Sequence, residues 1–221
     1  METLTLACVV FLATHFVSST PLRTATVGAI GEKAWLGLYT VVAFATIGWM
    51  VWAYNRAPVQ PLFEGLRLAP AILMPFSFFL LAAGLFTRNP TAVGQANSMK
   101  GDDPARGVIR ITRHPVMWSF MLWALAHILG RGEVKSTLFF GTFLVLAGLG
   151  AALIDARKAK ALGEDWQRFE AVTSYFPFAA IASGRNRFRA GEIGWRNPAI
   201  ALALYALVFW LHPMLFGARP Y

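Results

Sequence analysis

The chain has a single cysteine, Cys8, among 221 residues. That excludes an intramolecular disulfide framework and any metal site built only from cysteine. Charge is scarce too. Asp, Glu, Lys and Arg make up 14% of the chain, where soluble domains average about 25%. No phosphate-binding glycine loop is present, since Gly148-x-Gly150 lies inside an apolar run and reads as helix packing. No Ser-His-Asp or Cys-His arrangement can be read from spacing, so no catalytic residue can be named. The amino end, Met1-Glu2, lacks a basic n-region and no small-x-small cleavage site follows. The first apolar run is therefore expected to be a span rather than a signal peptide.

What the chain does have is apolar length. It is 57% hydrophobic, with mean hydropathy +0.52. Six runs stand out, at about Thr3–Val17, Trp35–Ala53, Ala69–Thr87, Pro115–Leu129, Ser136–Ile154 and Ala199–Phe216. A span needs roughly 17–25 residues. The expected fold is all-α, a single polytopic membrane bundle over residues 1–221 with about six transmembrane helices; the first and fourth runs are short.

Net charge is +9, which invites a nucleic-acid reading, but its distribution fits topology better. The first, third and fifth loops carry 2, 5 and 8 Lys/Arg, while the amino end, second loop, fourth loop and carboxyl end carry 0, 2, 2 and 1. The positive-inside rule then places the odd loops in the cytoplasm and both termini outside. In a bacterial inner membrane, outside is the periplasm. The expected partner is the lipid bilayer, with no nucleic acid.

Two loops expected on the cytoplasmic side are long, about 88–114 and 155–198. The first is rich in turn formers (Asn89-Pro90, Gly94, Gly101-Asp102-Asp103-Pro104, Gly107) and ends at Arg113-His114-Pro115. Proline suits the first helical position, because its missing N–H needs no partner there. His114 is thus the expected N-cap of the fourth span. In the second loop, Leu162, Trp166, Phe169 and Thr173 recur at helical spacing. Such an amphipathic helix is expected to lie in the headgroup plane. Beyond it, Ser183–Arg196 interleaves four arginines with Phe188 and Trp195. Attraction to anionic lipid explains that pattern, with an acidic ligand as the alternative.

All four histidines lie in or beside spans, where imidazole is costly without a partner. His15 and His114 belong to the cytoplasmic level, and His127 and His212 to the outer half. His127 lies thirteen residues beyond His114, roughly 20 Å along a helix and about 140° around it. An interhelical hydrogen bond is the bland explanation for each. Two histidines from different helices are also the minimum for a bis-imidazole haem, and no other residue set here makes a metal site. Cys8, Met117, Met121 and Met214 are conceivable axial ligands, but packing explains them better. The carboxylates Glu32, Glu64 and Glu133 sit beside spans, and Glu164-Asp165 forms an acidic pair in the fifth loop.

Several blocks together resemble the NnrU family of integral membrane proteins. They are His15-Phe16 with Ser18-Ser19 and Arg23, Gly31-Glu32, Asn89-Pro90, Thr112-Arg113-His114-Pro115, Leu122-Trp123-Ala124-Leu125-Ala126-His127, and His212-Pro213 with Phe216-Gly217. The resemblance runs nearly end to end. It implies a role linked to nitrite and nitric oxide reduction in denitrifying bacteria. The 15-cis-zeta-carotene isomerases of plants and cyanobacteria look like relatives, which implies haem b and redox-controlled ligand exchange. Carried over by motif, the iron ligands are His15 and His127, with His114 and His212 in reserve. Arg113 and His114 are then expected near the cofactor, Arg113 as a partner of the propionates.

A looser resemblance links Gly107–Pro115, Gly163-Glu164-Asp165-x-x-x-Phe169 and Tyr175-Phe176-Pro177 to the isoprenylcysteine and phospholipid methyltransferases. It implies S-adenosylmethionine held by His114, Glu164 and Asp165. The chain departs from that pattern at Met117 and Ser119, where those enzymes have tyrosine and glycine. The sequence therefore points first to a haem b-binding membrane protein with a redox or isomerase-like role and a small apolar substrate. Membrane methyltransfer and a non-catalytic assembly or regulatory role are the alternatives.

Overall fold

A computed structural model describes residues 1–91, 95 and 103–220. The turn formers Gly94, Gly101 and Asp102 lie outside the described residues. The helices are α1 (Glu2–Phe16), α2 (Pro21–Ile30), α3 (Glu32–Arg56), α4 (Leu68–Phe86), α5 (Pro115–Arg131), α6 (Val134–Leu162), α7 (Glu164–Val172), α8 (Ala179–Ala182), α9 (Ala190–Ile193) and α10 (Arg196–Phe216). The expected all-α bundle is present, with no β-strand among the described residues.

Five helices are long and apolar enough to cross a bilayer: α1 with the turn that continues it to Ser19, then α3, α4, α6 and α10. The sixth expected span, α5, has 17 residues. It packs along both α4 and α6, so protein rather than lipid covers much of it. By contrast α10 leans on α4, and of its helix only Ala201 is buried. Its Leu202, Trp210 and Met214 are exposed, which suits a face against lipid tails.

Two boundaries differ from those expected. First, α6 runs past Ile154 to Leu162, because Ala156-Arg157-Lys158-Ala159-Lys160-Ala161-Leu162 are strong helix formers and Gly163, at φ +52, is the first residue to break the pattern. Asp155 therefore sits inside a helix instead of opening a loop. Second, the first loop contains α2, with Pro21 in its first turn.

Two apolar clusters organise the interior. One joins α1, α3, α5 and α6 through Leu4, Phe11, Met50, Ala124, Phe139 and Phe140. The other joins α4, the 107–111 turn and α7 through Leu80, Ala83, Val108, Ile109, Trp166 and Phe169. The second cluster corrects the expected placement of the amphipathic helix. Trp166 and Phe169 are fully buried, so α7 spends its apolar face on the protein and not on headgroups.

At the end of the bundle that carries the chain termini, the 60–66 segment docks on the turn between α5 and α6. Leu62 and Phe63 N–H groups donate to the Gly132 carbonyl, and Val134 N–H donates to Gln60. Gly132 ends α5 at φ +60, and a Cβ there would collide with the Phe63 carbonyl oxygen. Gly132→Ala should therefore destabilise the protein beyond the roughly 1–2 kcal/mol of the left-handed backbone alone. A lowered melting temperature of the detergent-solubilised variant is the expected reading, and an unchanged one would count against this docking.

Candidate functional site

The opposite end of the bundle, rich in basic residues, is held by a buried ion network. Pro115 starts α5 and leaves His114 at its N-cap, as the sequence implied. The His114 side chain is 1% exposed and that of Arg113 8%. His114 Nε2 lies 2.6 Å from Asp155 Oδ1. Arg113 Nε donates to Asp155 Oδ2 at 2.8 Å, and its Nη2 donates to Glu170 Oε1 at 2.9 Å. One carboxylate on α6 and one on α7 are thereby tied to the first residues of α5. Around this core, Asn89 Nδ2 and Thr91 Oγ1 donate to the Arg113 carbonyl, each at 3.1 Å. Thr112 Oγ1 and Trp118 Nε1 both donate to the Tyr175 carbonyl.

The charged groups of Arg113 and His114 thus serve the structure. Both Arg113 and His114 are already matched by carboxylates, a pairing that the expectation of a propionate partner did not include. Glu164 and Asp165 stand in the exposed first turn of α7, where Asp165 pairs with Arg168. No hydrogen bond joins either to His114 among the described residues.

Beside this network a second one closes the fifth loop onto the third. Glu192 accepts from Arg110 Nε at 2.8 Å and from the Gly107 N–H at 2.9 Å. The Arg110 guanidinium, with the backbone N–H in support, holds the Glu192 carboxyl at about 2 against the usual 4.5.

The other three histidines share a different pattern. His15 Nδ1 bonds the Phe11 carbonyl at 2.7 Å, His127 Nδ1 bonds Trp123 at 2.8 Å, and His212 Nδ1 bonds Ala218 at 2.7 Å. A carbonyl only accepts, so Nδ1 carries a proton, and in the neutral ring Nε2 keeps its lone pair. No group among the described residues bonds Nε2 of these rings. That is the tautomer a metal-binding imidazole needs, with its other nitrogen oriented by a backbone acceptor.

The rings sit in aromatic surroundings. His127 stacks on Phe140 at 4.5 Å, with Trp123 at 5.2 Å. His127 and His212 are nearly parallel, their centroids 6.4 Å apart, as expected from depth, whereas no contact joins His15 to His114 among the described residues. His15 lies 4.0 Å from Phe11 and 5.8 Å from Tyr39. Phe143 bridges the two regions, 5.5 Å from Phe11 and 5.3 Å from Trp123. His15 and His127 are therefore linked through one aromatic run rather than by direct contact. Among the described residues no group of three or more His, Cys, Asp or Glu could hold a metal ion.

Sequence reasoning missed Asp155, Glu170, Arg110 and Glu192. Apart from Asp103, seven residues before Arg110, and Arg189, three before Glu192, their partners lie between 41 and 85 residues away along the chain, beyond the reach of any local motif. One signal was available for Asp155. It is the lone acid at the end of a long apolar run, on the same side as Arg113-His114, and a charge there demands a partner.

Five membrane-length helices and an ion network closing one end define a multi-pass helical membrane protein. The chain belongs to the NnrU family: a family model described as "NnrU protein" matches residues 3–220. It is 30% identical over 205 residues to the chloroplastic 15-cis-zeta-carotene isomerase of Arabidopsis thaliana, covering 86% of this chain and 54% of that protein. To the protein of the same name from Zea mays it is 30% identical over 142 residues, covering 63% of this chain and 38% of that one. The chain spans about half the length, or less, of these curated relatives. No solved structure matches.

Two expectations follow. Removing one member of a buried ion pair costs about 3–5 kcal/mol, so Asp155→Ala should lower stability strongly, and Glu170→Ala, whose side chain is half exposed, should lower it less. Equal effects in a denaturant titration would contradict the ranking. Glu192 gives an acid signature. Because its folded value is depressed, the stability it contributes is complete above about pH 4.5 and is lost as pH falls toward about 2. Glu192→Gln should therefore flatten that limb of the melting-temperature profile, and a limb of unchanged steepness would show that other carboxylates set it.

Proposed function

We propose that this protein binds haem b and serves a redox or isomerase-like role in the membrane, on a small apolar substrate, within nitrogen-oxide metabolism. One observation carries the reading. His15 and His127 each commit Nδ1 to the carbonyl four residues before, which leaves Nε2 available to iron. Kinship with proteins named 15-cis-zeta-carotene isomerase supports an isomerase-like class.

In this reading His15 and His127 would hold the iron; Phe11, Phe143 and Trp123 lie between their rings, so sharing one iron would require α1 and α5 to shift, and His212 stands in reserve beside His127. When bound, haem b would supply a redox-active iron. The chain's own residues supply the rest. The Phe11 and Trp123 carbonyls fix the two imidazoles in orientation and tautomer. Phe140, Trp123 and Phe143 form an apolar wall that excludes water and suits an apolar substrate. The Arg113–His114–Asp155–Glu170 network anchors the start of α5, the helix that carries His127. Orientation follows the basic loops, which places them in the cytoplasm and the termini in the periplasm of a bacterial inner membrane.

The test is the absorption spectrum of the detergent-purified protein, oxidised and then reduced, with His15→Ala, His127→Ala and His212→Ala alongside. The expected result is a Soret band with sharp reduced bands, lost on replacing His15 or His127 and kept on replacing His212. A protein that stays colourless after haem is supplied overturns the reading.

A further inference from the structure

The segment after α7 builds a cavity that the haem reading does not use. It measures about 230 Å³ and is lined by Arg110, Arg185, Asn186, Arg187, Arg189 and Asp103, among others. Its charges do not cancel. Arg110 and Arg189 share the two carboxylates Asp103 and Glu192. Arg185 and Arg187 have no carboxylate partner among the described residues. Four guanidinium groups against two acids leave two positive charges in excess at one wall.

One of those charges, Arg185, is held in place. Arg185 Nη1 donates to the carbonyls of Glu170, Ala171 and Thr173 at 3.2, 2.9 and 3.0 Å, and its Nε donates to Ser183 Oγ. These carbonyls lie at the end of α7, where that of Glu170 also accepts the Thr173 N–H, so the bonds stabilise the helix terminus and fix the side chain together. They leave Nη2 unengaged among the described residues. Opposite, Arg110 Nη1 holds Asn186 Oδ1 at 2.8 Å, and Asn186 Nδ2 donates to the Val172 carbonyl at 2.6 Å. A guanidinium fixed before its ligand arrives loses little entropy on binding one, and its planar fork matches the oxygens of a phosphate.

The same loop has a second character. Trp195 is 79% exposed and Phe188 51% exposed. Trp195 is the residue just before α10, so it stands where an apolar helix leaves the bilayer. Exposed aromatics at that level, interleaved with arginine, suit the membrane–water interface.

We propose that this cavity binds a phosphate group, delivered as the headgroup of an anionic lipid, because the loop that carries its arginines also exposes Phe188 and Trp195 where α10 begins. Arg185 and Arg187 contact the phosphate oxygens. Arg110, neutralised by its acids, orders the wall. Glu170 joins the site to the deeper network, since its carbonyl accepts from Arg185 while its carboxylate accepts from Arg113. The site stands or falls independently of haem.

The experiment is a thermal-stability titration of the purified full-length protein in neutral detergent. The probes are short-chain phosphatidic acid, phosphatidylcholine of equal chain length, and inorganic phosphate. Arg187→Gln is the main variant, because its side chain has no bonded partner to lose among the described residues; Arg185→Gln is the second. Stabilisation by phosphatidic acid but not by phosphatidylcholine, with apparent affinity weakened about fivefold in Arg187→Gln, supports a lipid-headgroup site. Equal stabilisation by inorganic phosphate, with the same sensitivity to Arg187, keeps the site but assigns it to a soluble phosphate. No stabilisation by either anion, or one undiminished in both variants, overturns the proposal.

Discussion

A carboxylate near the end of a 29-residue apolar helix cannot stand alone in a low-dielectric setting, and Asp155 does not. Its two oxygens are divided between His114 and Arg113. The rest of the basic end follows from this pairing. It ties the start of α5 to α6, because both partners immediately precede Pro115. It fixes α7, because the remaining nitrogen of Arg113 reaches Glu170. The surrounding carbonyls then find donors in Asn89, Thr91, Thr112 and Trp118. Each charge is costly by itself and satisfied only in company.

The two ends of the bundle are closed by different physics. At the end with the termini, backbone meets backbone. Gly65 and Gly132 let the 60–66 segment approach the end of α5 so closely that a side chain would be excluded, and Gly130 does the same for Pro70 of α4. At the basic end, side-chain charges and amides do the joining, across a third and a fifth loop far apart in sequence. Between the ends the packing is apolar and aromatic, and the histidines are placed there by helix length rather than by local motif. Within that layer every imidazole outside the ion network turns its Nδ1 to a carbonyl. Three independent backbone acceptors thus produce one tautomer, and with it one kind of available nitrogen.

The same economy explains α7. Its sequence reads as an amphipathic helix for a membrane surface, yet its apolar face is consumed by the 107–111 turn and by Leu80 and Ala83 of α4. What remains for the interface is the stretch behind it, where Phe188 and Trp195 are exposed among arginines. Burial of Trp166 and Phe169 is what holds that stretch, and the cavity of arginines within it, against the body of the protein.

Much of this was legible from the chain alone. Run length and scarcity of charge determined a helical membrane bundle, since only a helix satisfies its own backbone in lipid. Pro115 determined the start of α5, and hydrophobic spacing determined which side of α7 is apolar. The depth of His127 and His212 paired them before their rings were seen together. Tertiary structure decided the rest. That Asp155 answers His114, that Glu192 answers Arg110, and that Arg113 serves carboxylates of its own chain depend on contacts between distant segments, which no local pattern encodes. Whether an apolar helix face meets lipid or protein was likewise settled by its neighbours, because the hydrophobic effect rewards either cover and only packing chooses between them.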